Sequence, residues 1–246
     1  MKSKIKIGVI GVGHLGKHHV NHLSNISDVD FRGVYDINPE KSERISKEYK
    51  TKSFISRSAL IEKVDAVSIV TPTKEHNTTA KECIAKGKHV FIEKPITQTV
   101  EEADLLIKLA KEKNVIIQVG HIERLNPALM PLEQHDINPK FVEVQRLAPY
   151  MVRGSDVPVV LDLMIHDIDI VLSLIPSPIK HIESTGVSIM TNSVDIANAR
   201  ISFENGAIAS LTSSRVAKDR VRKLKIFQQD LYITVDFLIG LTEIYK

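Results

Sequence analysis

Lys4-Ile5-Lys6-Ile7-Gly8-Val9-Ile10-Gly11-Val12-Gly13-His14-Leu15-Gly16 is the stretch whose reading decides the fold of the first half of the chain. Ile5 to Ile10 is short and nearly all apolar, the pattern of a strand buried on both faces in a parallel sheet. It runs directly into Gly11-x-Gly13-x-x-Gly16. The first glycine permits a tight turn. The second lets the backbone approach a pyrophosphate, and the third lets the next helix pack close to the sheet. That helix would offer unpaired N–H groups and a positive dipole end to phosphates. Gly11, Gly13, His14, Leu15 and Gly16 are therefore the expected phosphate-side contacts of a dinucleotide.

Outward from this loop the context strengthens the reading. A second apolar strand, residues 31–35, ends in Asp36, about 20 positions beyond Gly16, where a carboxylate accepts hydrogen bonds from a ribose and repels a 2′-phosphate. Ile37-Asn38-Pro39 follows, with no arginine, so NAD is favoured over NADP. Helix and strand signals then alternate. Helices are expected over 39–49, 58–63, 75–86 and 99–113, with Asn38 as an N-cap, Gly87 as a stop, and Val100, Ala103, Leu106, Ile107 and Ala110 as one apolar stripe. Strands are expected over 66–70, 89–92 and 115–119. Such alternation implies a doubly wound parallel sheet whose ligands lie beyond the carboxyl ends of the strands. Those ends carry Asp36, Thr71-Pro72-Thr73, Glu93-Lys94-Pro95 and Gly120-His121.

The chain has 246 residues, enough for one large domain or two ordinary ones, with 43% hydrophobic and 26% charged residues. A net charge of +3 without long basic runs does not suggest nucleic acid. No apolar run approaches the length of a membrane span, and the apolar run near the N-terminus is too short for a signal peptide. The single cysteine, Cys83, cannot form an internal disulfide, which suits the cytoplasm. Histidines 14, 18 and 22 share a helix spacing that a metal can use, but no acidic partner shares it, and no metal is expected.

Two stretches carry candidate chemistry. Lys94 follows an apolar strand, where a partly desolvated ammonium can hold a substrate oxygen; a surface Lys–Glu pair is an equal alternative. The second stretch is an apolar helix expected from Val159 to about Leu174, bearing Asp162, His166, Asp167 and Asp169. Asp162 and His166 are four apart and share a face, Asp169 continues it, and Asp167 is turned away. An imidazole oriented by a carboxylate is a suitable general base, and a structural Asp–His pair is the alternative. A metal on Asp162, His166 and Asp169 is poorly specified.

Together these features resemble the Gfo/Idh/MocA family of NAD(P)-dependent oxidoreductases. The resemblance rests on the glycine fingerprint, Thr71-Pro72-Thr73 with His76, Gly87-Lys88-His89-Val90 leading into Glu93-Lys94-Pro95, Gly120-His121-x-x-Arg124-x-Asn126-Pro127, and Asp162-x-x-x-His166. It implies that Lys94 and His166 are catalytic with Asp162 assisting, and that Thr71, Pro72 and Glu93 flank the nicotinamide. Arg124 and Asp167 are candidates for substrate contacts. The wording around residues 119–124 and 161–169 is similar to a bacterial subgroup whose substrate is a nucleotide-linked sugar, with C3 of UDP-N-acetylglucosamine as one candidate. A catalytically silent NAD-binding regulator and an imine or tetrapyrrole reductase of the same fold are the alternatives.

The expected fold is α/β. Residues 1–120 are expected to form a Rossmann domain, and the resemblance implies that 121–246 form an α+β domain with an open, mainly antiparallel sheet used for substrate and for a homodimer or homotetramer. In the second half a short helix is expected over 127–135 and strands over 141–147, 181–190, 195–203, 207–214, 223–227 and 231–237. Asn205-Gly206 signals a type I′ hairpin that sets Phe203 opposite Ile208. Tyr150, Arg153 and Asp156 are read as solvated loop residues in preference to substrate contacts. The family usually continues into a final helix, whereas this sequence stops at strand-like 241–246, which is read as a shortened C-terminus.

Overall fold

The computed structural model describes residues 3–151 and 157–246. The chain divides into two compact units, Met1–Gly120 and His121–Lys246. The loop residues Arg153 and Asp156 lie outside the described residues.

The first unit is a parallel sheet of five strands: β1 (Ile5–Ile10), β2 (Val29–Tyr35), β3 (Ala66–Ile69), β4 (His89–Ile92) and β5 (Ile117–Val119). Their order in space is β2-β1-β3-β4-β5. Strand order reverses at β1, so the crevice beyond the ends of β1 and β3 is the switch point where such sheets take ligands. Helices α1 (His14–Asn25), α2 (Pro39–Glu48), α3 (Arg57–Ile61), α4 (His76–Ala85) and α5 (Val100–Lys113) connect the strands. Val9, Val20, Val34 and Ile45 form a core on one side of the sheet. Ile10, Leu60, Ile69, Ile84, Ile92 and Leu106 form the larger core on the other. Cys83 is fully buried there, and burial pushes its thiol up to about 12.

The caps follow the sequence. Asn38 accepts a hydrogen bond from the Lys41 amide, and Thr99 accepts one from the Glu102 amide. Gly87 has φ +70° just beyond α4. Two expectations need correction. β1 is buried only in its second half, because Ile5 and Lys6 stand at the exposed amino edge. On α5 the buried positions are Leu106 and Ala110, while Val100 and Ile107 are exposed, so the apolar stripe is narrower than the sequence suggested.

The second unit is a seven-stranded sheet built from β6 (Phe141–Leu147), β7 (Ile179–Val187), β8 (Ile196–Phe203), β9 (Ile208–Ser214), β10 (Val221–Gln228), β11 (Leu231–Asp236) and β12 (Leu241–Tyr245). The order is β12-β11-β10-β6-β9-β8-β7, antiparallel throughout except for the parallel β6–β9 pair. Val142, Val144, Ile201, Phe203, Leu211, Leu224, Ile226, Ile233 and Val235 project from one face into the core, against α6 (Ile165–Leu174) and the segment before it. On the β6, β10, β11 and β12 strands, Phe141, Phe227, Tyr232 and Tyr245 form a cross-strand aromatic ladder with centroids 4.8–5.9 Å apart. Residues 127–134 are a 3₁₀ helix, tightened around an internal Pro131.

The hairpin between β8 and β9 differs from the expected type I′ turn. Only Gly206 has positive φ, at +83°, and its amide donates to the Phe203 carbonyl. Phe203 closes against Ala207, and Ser202, not Phe203, pairs with Ile208. The loop thus has three residues, a type I turn ending in a left-handed glycine, which moves the register by one.

The long helix is also not uniform. Val160–Met164 is a π-helical turn, and α6 begins only at Ile165. The Pro158 carbonyl accepts from the amides of Leu161 and Asp162, and Val159 donates to the Val194 carbonyl. Asp162 thus sits on the π turn and His166 in the first turn of α6.

Candidate active site

In the first unit the expected cofactor residues gather along one edge of the sheet, because parallel strands bring their carboxyl ends together. Gly11 has φ +90°, and a Cβ there would lie 2.6 Å from the Val70 carbonyl oxygen. A Cβ on Gly16 would lie 2.0 Å from the Gly11 oxygen, so both positions require glycine for packing. Gly13 is different, since a Cβ there would meet nothing within 4 Å. It is the N-cap of α1 and supplies no capping side chain, so the first-turn amides face outward as anion donors. His14 and Leu15 are exposed on this first turn, and the His14 and His18 rings meet edge to face at 5.4 Å. This arrangement fits a dinucleotide pyrophosphate.

Asp36, just past β2, accepts from the Val12 amide at 2.8 Å through one oxygen and from the Asn38 amide at 2.9 Å through the other. The carboxylate therefore steadies the glycine loop itself and keeps further lone pairs for ribose hydroxyls. Thr71 follows β3, and its Oγ1 is buried with no hydrogen-bond partner among the described residues. Its carbonyl oxygen lies 2.9 Å from His76 Nε2. Pro72 opens a short 3₁₀ turn, Thr73–Glu75. Past β4 come Glu93, Lys94 and the cis-linked Pro95.

Glu93 does not stand open on this rim. Its Oε1 lies 3.0 Å from His19 Nε2, and His19 Nδ1 lies 2.9 Å from Ser68 Oγ on β3. His76 Nδ1 lies 2.8 Å from the Pro95 carbonyl. His14, His18 and His22 share a helical spacing, but the imidazole that meets Glu93 is that of His19. The signal available was its place on the face of α1 that turns toward the sheet, one turn after Gly16.

In the second unit the candidate residues fall into two groups. Asp162, on the π turn, and His166, in the first turn of α6, are both half-buried. Asp167 and Asp169 are buried in ion pairs. Arg124 holds Asp169 with two bonds of 2.6 Å, and His121 Nδ1 lies 3.8 Å from the same carboxylate. Asp169 raises the basicity of Arg124 through this fork. Arg146 holds Asp167 at 2.7–3.0 Å and also reaches Glu123 at 3.3 Å. Burial pushes the Asp167 carboxyl up, and the Arg146 guanidinium pulls against it. Burial likewise opposes the Arg146 charge, but Asp167 and Glu123 leave it more basic than a free arginine.

Asp167, expected to contact substrate, is instead an internal counter-ion with 1% exposure. Asp169 is likewise not part of an open face with Asp162 and His166. Arg124 keeps half its side chain exposed while its fork is held by Asp169. The segment that follows Gly120 is thus fastened to α6 by two separate ion-pair sets. No group of three His, Cys, Asp or Glu residues among the described ones is arranged to hold a metal ion.

Comparisons with known proteins accord with this geometry. Residues 5–121 match the model of an oxidoreductase family with an NAD-binding Rossmann fold. Residues 150–233 match the GFO/IDH/MocA C-terminal domain. The UDP-N-acetylglucosamine 3-dehydrogenase of Acidithiobacillus ferrooxidans is 41% identical over 98% of this chain and 77% of its own. A solved structure of that enzyme has a TM-score of 0.94 and is covered over 80% of its length. The scyllo-inositol 2-dehydrogenase (NAD(+)) of Bacillus subtilis is 27% identical, over 88% of this chain and 69% of its own. The chain belongs to the GFO/IDH/MocA family of NAD-binding oxidoreductases.

Proposed function

We propose that the protein is an NAD-dependent dehydrogenase that oxidises a secondary hydroxyl of a nucleotide-linked sugar, with UDP-N-acetylglucosamine at C3 as the substrate. The observation that carries the dehydrogenase reading is the shared edge of the first sheet, where the glycine loop, Asp36, Thr71-Pro72 and Lys94 follow adjacent strands. Likeness to the Acidithiobacillus enzyme supports the sugar. NAD, when bound, accepts the hydride from the carbinol carbon. His166 takes the hydroxyl proton, and Lys94 stabilises the negative charge that develops on the oxygen. Asp162 tunes or orients His166, and Arg124 supports the substrate region through its hold on Asp169.

The test is NADH formation with UDP-N-acetylglucosamine, UDP-glucose, inositols and glucose 6-phosphate. UDP-N-acetylglucosamine should exceed the others by at least about tenfold in kcat/KM, the size of one or two lost polar contacts. NAD binding without turnover across the whole panel would overturn the reading. Lys94→Ala and His166→Ala should each lower kcat by at least about a hundredfold while retaining NAD.

The aromatic ladder, with Phe227 and Tyr245 partly exposed, supports a homodimer or homotetramer paired through the second sheet. Tyr232→Lys should then shift the mass measured by light scattering toward the monomer. The reduced, buried Cys83 suits the cytoplasm, which fractionation would check. No helix among the described residues is long and apolar enough to cross a membrane.

A further inference from the structure

The turn Glu93-Lys94-Pro95 lies beyond the last ladder bonds of β4. The Glu93 amide still donates to the Ile69 carbonyl, and the Ile92 carbonyl still accepts from Gly120. Pro95 has no N–H, so its carbonyl is its one backbone hydrogen-bonding group. His76, 1% exposed, has Nδ1 2.8 Å from that carbonyl and Nε2 2.9 Å from the Thr71 carbonyl on the neighbouring strand end; both oxygens only accept, so a neutral ring donates to one of them at a time. On the other flank the Glu93 carboxylate is largely buried and needs a donor. His19 supplies it at 3.0 Å, and the ring's second nitrogen is fixed at 2.9 Å by Ser68. A carboxylate only accepts, so Nε2 of His19 carries a proton and the Ser68 hydroxyl completes the ring's bonding at Nδ1.

We infer that His19 and His76 are a pair of positioning residues that clamp the residues on either side of Lys94. The inference rests on the reading of Lys94 as the catalytic ammonium. A lysine side chain is long and rotamer-rich, so the place its ammonium reaches depends first on where its Cα is held. What the fold can fix is the origin of the side chain, the Lys94 Cα, and two imidazoles fix it from both directions. The buried His76 ring also stands between this turn and the Thr71 turn, within hydrogen-bond distance of both carbonyls. The Ser68, His19, Glu93 chain has the order of a nucleophilic triad, but Ser68 is 3% exposed on an inner strand and cannot meet a substrate. Its task is orientation.

The test compares His19→Leu with His19→Gln, whose amide retains an N–H for Glu93, and adds Ser68→Ala and His76→Gln, all in the full chain. A misplacement of about 1 Å costs on the order of a hundredfold in rate. His19→Leu should therefore lower kcat by roughly 10- to 100-fold, with the Kd for NAD kept within about threefold. His19→Gln should recover most of the loss, and Ser68→Ala and His76→Gln should show smaller losses in kcat alone. Joining His19→Leu with His76→Gln should cost less than the product of the two, because both release one turn. Unchanged kcat in His19→Leu, equal damage in His19→Gln, or a loss seen mainly in NAD binding would each overturn the inference. Lys94→Ala separates the two levels. If it keeps turnover, the reading of Lys94 fails; if it abolishes turnover while His19→Leu is normal, only the clamp fails.

Discussion

At the scale of single residues, the three glycines of the fingerprint do different work, and mutation should separate them. Gly16 is required by packing, since a Cβ would collide with the Gly11 oxygen at 2.0 Å. Gly13 has space around it and an ordinary negative φ of −66°. Gly13→Ala should fold with stability within about 0.5 kcal/mol of the parent, the size of a cap exchange. It should still weaken NAD by more than about tenfold, because the methyl occupies the approach of the pyrophosphate. Gly16→Ala should lose both stability and binding. Thermal melts and NAD titrations distinguish the two, and a Gly13→Ala protein that binds NAD normally would contradict the cofactor placement. The fingerprint and Asp36 were legible because glycine spacing and a strand-ending acid are local signals. The bond from Asp36 to the Val12 amide, and the hold of His19 on Glu93, were not, because each joins residues far apart in sequence.

At the scale of elements, strand and helix existence was legible almost throughout, and edges and registers were not. The residue pair Asn205-Gly206 reads as a two-residue turn, but the chain uses three residues with Gly206 left-handed, and no local signal decides between them. No local signal marks the π turn that carries Asp162. Its start is fixed from outside by the Val194 carbonyl, next to Asp195. Asp195 is fully buried at the base of the turn before β8. Burial raises its carboxyl, but the amides of Thr191, Ile189 and Met190 and the Thr191 hydroxyl outweigh burial and hold it well below the usual range. Folding thus gains stability from the ionised form. That gain is complete above the ordinary carboxylate range, near about pH 4, and disappears as pH falls toward the lower native value. Asp195→Asn should melt at a lower temperature than the parent near neutrality, and the two melting curves should converge below about pH 4. Parallel curves across this range would show that another carboxylate controls acid stability.

At the scale of the whole chain, the division at Gly120 has an energetic corollary. The glycine loop, Asp36, Thr71 and Lys94 all belong to the first unit, so NAD stabilises that unit directly. At a hundred times its Kd, a ligand adds about 2.7 kcal/mol. Calorimetry with saturating NAD should raise one unfolding transition and leave the other where it was; a single transition shifting as a whole would show the two units unfolding together. The two fold classes were legible from patterning, since alternating helix and strand signals give way to successive strands after α6. The ion pairs that fasten Glu123 and Arg124 to α6 were not legible, because a charged residue near a motif reads equally well as a ligand or as a counter-ion. Asp167, whose position suggests a ligand, is a counter-ion.

The burial of Cys83 has a use beyond packing. A thiol held neutral up to about 12 reacts with alkylating reagents only when the core around it opens. Its labelling rate is therefore a built-in gauge of how often the nucleotide-binding half breathes, readable by mass spectrometry without any assay of turnover. Slower labelling in the presence of NAD would report, from the far side of the sheet, how firmly the occupied rim restrains the unit beneath it.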